Sequence, residues 1–193
     1  QSERLRHDMK NHVIALSGLV ERSEWVKIAD YLKQMEQCAE PGAGAEATGN
    51  SAVDALLYQK RKLAEKNSIL WECDVQIPPA CGIPEFDLCV LFGNLLDNAL
   101  EACEKLSSGE DRWIRIQARP VKKCFLLEIK NCTDLEHMDA VRSAGKHPVH
   151  GHGIGLLNVR DVLRKYNGTL HMDLKDHLFV VSALLPMEPS RRI

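Results

Sequence analysis

The 193-residue chain has no run approaching the ~20 apolar residues that a membrane-spanning helix needs, and nothing at its start reads as a signal peptide. It carries no Cys-x-x-Cys pair. Cys73, Cys81 and Cys89 recur every eight residues without a histidine at metal-site spacing. The seven cysteines, an odd number, therefore read as reduced thiols of a cytosolic protein, packed as small apolar side chains. Neither sign of charge is in excess, and a formal net charge of -2 gives no electrostatic footing for nucleic acid or an anionic membrane surface. There is no internal repeat. What is present, 45% hydrophobic and 27% charged residues, is the balance of an ordinary folded protein and argues against extensive disorder. The length suits one domain plus a smaller element. The first residue is Gln1, and the expectation is a piece of a longer protein whose sensor or membrane region lies upstream.

Two apolar periodicities divide the chain. Leu5, Met9, Val13, Leu16 and Val20 fall on one stripe of a helix from Ser2 to about Arg22, and Ile28, Leu32 and Met35 on a second helix from Trp25 to about Cys38. A turn is expected at Arg22 to Glu24. Two short helices cannot enclose a core, so residues 1–38 are expected to be a hairpin that pairs with a second copy as a four-helix bundle. Residues 39–50, with Pro41, Gly42, Gly44 and Gly49, read as a linker. From 51 to 193 the expectation is an α+β sandwich with helices over one sheet. It comprises a helix capped by Ser51 and running to Lys66, a strand over Ile69–Ile77, and a long helix over Phe86–Leu106. Strands over Trp113–Arg119 and Cys124–Lys130 follow, then a helix over Leu156–Tyr166 ended by Asn167 and Gly168, and a hairpin of Thr169–Leu174 with Leu178–Leu185.

Three constellations stand out. On the long helix, Asp87, Asn94, Asn98, Glu101 and Lys105 lie close to one line in an otherwise apolar surround. Asn94 and Asn98, one turn apart, offer amide oxygens to a hard cation or to water beside phosphates; the competing reading is a solvated face. Gly151, Gly153 and Gly155 alternate just before a helix, where backbone amides and the helix dipole can meet phosphate oxygens. A dinucleotide fold would want a strand directly before those glycines, and a long polar loop stands there instead. His7 lies off the apolar stripe of the first helix and faces solvent, with Asp8 beside it and Asn11 one turn on.

In order, Arg6-His7-Asp8-Met9-Lys10-Asn11-His12, Gly93-Asn94-Leu95-Leu96-Asp97-Asn98-Ala99-Leu100-Glu101-Ala102 and Gly151-His152-Gly153-Ile154-Gly155-Leu156 resemble the H, N and G boxes of sensor histidine kinases. The first box and Gly155 to Val159 look most like the subfamily of peptide-quorum-sensing receptors. The resemblance spans nearly the whole chain. It implies a dimerisation and histidine-phosphotransfer hairpin followed by an α/β two-layer sandwich of the GHKL (Bergerat) ATPase type, binding ATP and Mg²⁺ as a homodimer. It further implies that Asn98 holds the metal, that Asn94 assists at the phosphates, and that Gly151, Gly153, Gly155 and Leu156 form the phosphate-side loop. Thr133 to His150 would be the lid.

The family's Asp-x-Gly, whose carboxylate accepts the adenine amino group, is replaced by Lys130-Asn131-Cys132. Asn131 can accept the same hydrogen bond through its neutral amide, with a smaller contribution than a charged acceptor and so a modest nucleotide affinity. An asparagine here is similar to what the quorum-sensing subfamily shows. The implied reaction is attack of neutral His7, oriented by Asp8, on the γ-phosphate, followed by transfer to an aspartate of a response-regulator receiver. Asn11 would support receiver dephosphorylation as well, unless it is a capping or surface residue. The implied place is the cytoplasmic side of a membrane-anchored receptor. The alternatives are an ATP-gated clamp, which normally has a glutamate where Asn94 stands, and a regulatory pseudokinase.

Overall fold

The computed structural model describes residues 13–14, 16–28, 47–79, 81–106, 111–134 and 154–187, with the side chain of Ile154 excepted. The chain divides into two compact units, Gln1–Ala43 and Gly44–Ile193. In the first, the described residues are helical at 13–14, 16–21 and 25–28. The break falls at Arg22 to Glu24, where the spacing predicts a turn. Ser23 takes φ 54, its N–H reaches the Val20 carbonyl at 2.9 Å, and the Glu24 N–H reaches that of Leu19 at 3.0 Å. This is a Schellman closure with serine in the left-handed position.

The second unit runs α1 (Ser51–Lys66), β1 (Leu70–Val75), α2 (Glu85–Glu104), β2 (Trp113–Val121), β3 (Cys124–Cys132), α3 (Ile154–Lys165), β4 (Thr169–Lys175) and β5 (Leu178–Pro186). The five strands form one mixed sheet in the order β1-β2-β3-β5-β4. The β1–β2 pair is parallel and joined across α2, and every other pair is antiparallel. Alternation along the strands fixes the faces. Ile114, Ile116 and Ala118 of β2, Phe125, Leu127 and Ile129 of β3, and Val181, Ala183 and Leu185 of β5 are buried beneath the helices. The opposite face is polar, with Glu72 paired to Arg115 at 2.5 Å and Glu128 to Lys130 at 2.8 Å.

Among the described residues three helices cover the sheet, with α2 in the middle. Leu88, Leu91, Phe92, Leu95, Leu96, Ala99, Leu100 and Cys103 are buried over most of its circumference. At about 1.5–3 kcal/mol for each large side chain taken out of water, this helix anchors the unit. Contacts at 50 with 85, 60 with 97 and 67 with 104 run α1 parallel to α2. The clasp of Asp87 with Lys165 and Tyr166, and the contact of Asn94 with Gly155, run α3 antiparallel to it.

Two local expectations are corrected. The N-cap of α1 is Asn50, whose side chain accepts from the Val53 N–H at 3.1 Å; Ser51 is the first helical residue. β1 stops at Val75 because the Ile77 N–H turns to the Thr48 carbonyl at 2.8 Å instead of continuing the ladder. That same contact ties residues 47–50, read from composition as the end of a linker, onto the second unit. Thr48 is buried, and its N–H and hydroxyl both donate to Asp54, at 2.9 and 2.6 Å. Gly49 makes the bend at φ 93, where a Cβ would sit 2.7 Å from the Ile77 carbonyl oxygen. α3 ends on Asn167 at φ 51, while Gly168 is needed for packing, since a Cβ there would meet the Leu184 oxygen at 2.8 Å.

Gly49→Ala is expected to lower unfolding stability by about 1–3 kcal/mol, through positive φ and the clash with Ile77. Denaturant midpoints with an unchanged slope check it. A loss below about 0.5 kcal/mol would show that the bend behaves as free linker.

Candidate functional site

The long apolar stretch of α2 forces its few polar side chains to find partners or an opening. Asn94 and Asn98 are both half-buried on the helix, one turn apart. The Asn94 amide nitrogen donates to the Val90 carbonyl at 2.6 Å, which turns its Oδ1 outward. That oxygen faces the first turn of α3: a Cβ on Gly155 would lie 3.1 Å from Asn94 Oδ1 and 3.6 Å from its Cβ. The third glycine of the alternating set therefore admits the start of α3 directly onto Asn94. The first-turn N–H groups of α3, which have no partner within their own helix, and the positive end of its dipole lie at this point. Leu156, also half-buried, packs on the core beside them.

Asn98 makes no side-chain hydrogen bond to any described residue, so its amide is available. The neighbouring Asp97 pairs instead with Lys60 of α1. Below, in the sheet layer, Asn131 is the penultimate residue of β3, at the end away from the β2–β3 turn, opposite Ile114 and Phe179 and on the helix-covered face. It is 1% exposed. Its amide nitrogen donates to the Cys132 carbonyl at 2.8 Å, and no described group donates to its Oδ1. With its nitrogen so engaged, the side-chain oxygen is left as an acceptor.

The structure brings Asn94, Gly155 and Leu156 together, with Asn98 one turn along α2 and Asn131 in the layer beneath. Gly151 and Gly153 lie outside the described residues, as do His7, Asp8, Asn11 and the segment 135–150 that the lid reading invokes. The polar line on α2 is not one surface. Asp87 is buried, whereas Glu101 and Lys105 are exposed. Asp87 receives Lys165 Nζ at 2.8 Å and the Tyr166 hydroxyl at 2.7 Å, both from the far end of α3. Burial acts to raise its carboxyl, but the two donors and the lysine charge outweigh it and hold the group below its ordinary value. The sequence signal for this clasp was a lone acid inside an apolar stretch. Its partners, nearly eighty residues away, carried none.

One further pair was not anticipated. Cys103 at the end of α2 and Cys132 at the end of β3 are buried with their sulfurs 3.4 Å apart, and burial together with the neighbouring thiol pushes Cys103 well above the ordinary range. An inert, protonated thiol follows, consistent with the small-apolar reading. No disulfide joins the six described cysteines, and no described helix is long and apolar enough to cross a membrane.

Comparison with known proteins agrees with this arrangement. Residues 84–186 match the family described as GHKL domain, and this span holds α2, the remaining sheet strands and α3. A probable C4-dicarboxylate sensor kinase of Halalkalibacterium halodurans is 24% identical over 182 residues, which is 86% of this chain and 33% of that protein. The chain thus spans about a third of the relative's length. Among solved structures, the catalytic domain of histidine kinase ThkA superposes with TM-score 0.59 at 16% identity, covering 74% of this chain and 96% of that one. The Acinetobacter baumannii histidine kinase AdeS gives 0.56 at 12% identity, covering 95% and 98%. A mycobacterial sensor histidine kinase, MprB, gives 0.52 at 18%, covering 71% and 95%. The chain therefore belongs to the GHKL domain family, and its fold is shared with the catalytic regions of these histidine kinases.

Proposed function

We propose that this chain is an ATP-dependent protein-histidine kinase that phosphorylates its own His7 and passes the phosphoryl group to an aspartate of a response-regulator receiver. The observation that carries the reading is the seating of Gly155 on Asn94 Oδ1, with the Asn98 amide left without a described partner. It joins two of the three sequence motifs at one helix N-terminus.

The residues present fit Mg·ATP. Asn98 Oδ1 is an oxygen ligand of the kind Mg²⁺ takes, the start of α3 offers N–H groups to phosphate, and Asn131 offers a fixed acceptor to the adenine amino group. Bound Mg²⁺ supplies charge compensation at the triphosphate. For its part the protein orients and neutralises, which is most of what phosphoryl transfer asks of a catalyst. Asn94 sets α3, and Gly151 and Gly153 continue the backbone cradle. Asp8 holds the proton on one imidazole nitrogen of His7, and the other nitrogen's lone pair attacks the γ-phosphorus.

In this reading residues 1–38 form the phosphotransfer hairpin, the linker expected from residue 39 ends before the stretch 47–50 that is tied to the second unit, and that unit binds nucleotide. Val13 and Val20 of the expected apolar stripe are 57% and 49% exposed in the single chain, which supports burial against a second copy in a homodimeric four-helix bundle. The AdeS similarity over 95% of this chain supports the same organisation. The core works on the cytoplasmic side of the membrane, downstream of a sensor region.

His7→Gln is expected to abolish acid-labile, alkali-stable label from γ-labelled Mg·ATP while calorimetry still shows nucleotide binding; undiminished labelling refutes the assignment. Asn98→Ala should weaken Mg-dependent nucleotide binding by about tenfold or more, because no other side chain of the motifs replaces that oxygen. Wild-type affinity in this variant would leave Asn98 as part of a solvated face. Asn11→Ala should slow receiver dephosphorylation and leave His7 labelling unchanged, since its amide lies one turn from His7 and can align a water on the receiver's phosphoryl group. A parallel fall in both rates would show helix distortion instead.

A further inference from the structure

Among the described residues Asp87 is the one charged side chain that is fully buried, 4% exposed. It lies two helical turns before Asn94, and both its oxygens are engaged. Oδ1 takes Lys165 Nζ at 2.8 Å and Oδ2 takes the Tyr166 hydroxyl at 2.7 Å. Its partners close the C-terminal end of α3, and Gly155 opens the N-terminal end against Asn94. α3 is therefore pinned to α2 at two points, one at each end.

Between the two pins the contact is apolar, through Val159, Val162 and Leu163. Such a surface is non-directional and tolerates axial sliding and rotation. A buried carboxylate with a lysine and a tyrosine adds little net stability over an apolar replacement, because desolvation cancels much of the attraction. Its distinctive property is direction, since donors on the last residue of α3 and on the turn residue after it must meet two oxygens on another helix. One residue of slip displaces a helix by about 1.5 Å. At the far end of α3, Gly155 lies so near Asn94 that an added Cβ would be 3.1 Å from its Oδ1, so a shift of that size changes this contact.

We propose that Asp87 is a positioning residue: with Lys165 and Tyr166 it fixes the register of α3 on α2, and so holds Gly155 and the first turn of α3 in place against Asn94. The structural part stands on the contacts alone, and its consequence for nucleotide rests on the function proposed above.

The test is backbone hydrogen exchange over residues 155–160, measured on the whole chain without nucleotide, for wild type, Asp87→Leu and Tyr166→Phe. Thermal unfolding and calorimetry with a non-hydrolysable Mg·ATP analogue accompany it. Asp87→Leu is expected to keep cooperative unfolding while exchange at 155–160 rises by about tenfold relative to the β2–β3 amides, with a similar loss of analogue affinity. Tyr166→Phe, which removes only the hydroxyl, should move exchange in the same direction by a smaller factor. Unchanged exchange at 155–160 overturns the proposal. So does a rise shared equally by the β2–β3 amides, which would make Asp87 a stability residue only. Should Asp87→Leu not fold, Tyr166→Phe decides by the same two criteria. Wild-type protein that binds no analogue would sink the nucleotide reading and leave the exchange result to judge the positioning.

Discussion

The burial of α2 against both neighbouring helices and the sheet governs how every polar group on it can be accommodated. Leu88, Leu91, Phe92, Leu95, Leu96, Ala99, Leu100 and Cys103 commit most of the helix circumference to the core. A polar side chain on such a helix carries a desolvation cost unless a partner reaches it. Each one has met that condition differently. Asp87 is ion-paired, Asp97 reaches Lys60 of α1, Asn94 bonds back to Val90, and Asn98 stays half-exposed to solvent. In the proposed function, the order of these solutions along α2, from clasp to half-exposed amide, gives the helix a structural end and a ligand-facing end.

Much of this was legible in the sequence because the physics that sets it is local. Alternation in Ile114, Ile116 and Ala118 and in Phe125, Leu127 and Ile129 located β2 and β3 and their buried face. β2 proved longer than alternation suggested, because the hairpin pairs down to its turn at Lys122, through Pro120 and the exposed Val121. β3 runs past Lys130 at its other end, where Asn131 pairs with Ile114 and Phe179 and so falls inside the strand, on the helix-covered face. The helix ends were partly legible. Asn167 and Gly168 announced the stop of α3, but which of them adopts the left-handed conformation depended on Gly168 lying against Leu184.

What stayed hidden depends on distant parts of the chain. The serine at 51 is a good cap in isolation, yet Asn50 takes the role because Thr48, one bend earlier, is held by Asp54 and Ile77. Asp87 reads as one member of a polar line on an apolar helix until Lys165 and Tyr166 arrive from another element. Gly155 is the intermediate case. Its place among alternating glycines marked it for phosphate contact, whereas its contact with Asn94 exists only once α3 docks antiparallel on α2.

The division between charged and neutral groups follows from what each end of α2 has to do. The carboxylate that is fully buried lies in the clasp, where a charge makes the geometry directional. The groups that the proposed function assigns to nucleotide, Asn94, Asn98 and Asn131, are neutral amides. An amide oxygen can serve as metal ligand or hydrogen-bond acceptor without adding negative charge beside a polyanion, and repulsion between a carboxylate and a triphosphate grows as water is excluded. In the proposed function, favourable electrostatics toward phosphate then comes from the exposed N–H groups and dipole of α3 and from the metal. Those contributions require α3 to be correctly placed. The neutrality of the ligand-facing end thus raises the demand on the charged clasp at the other.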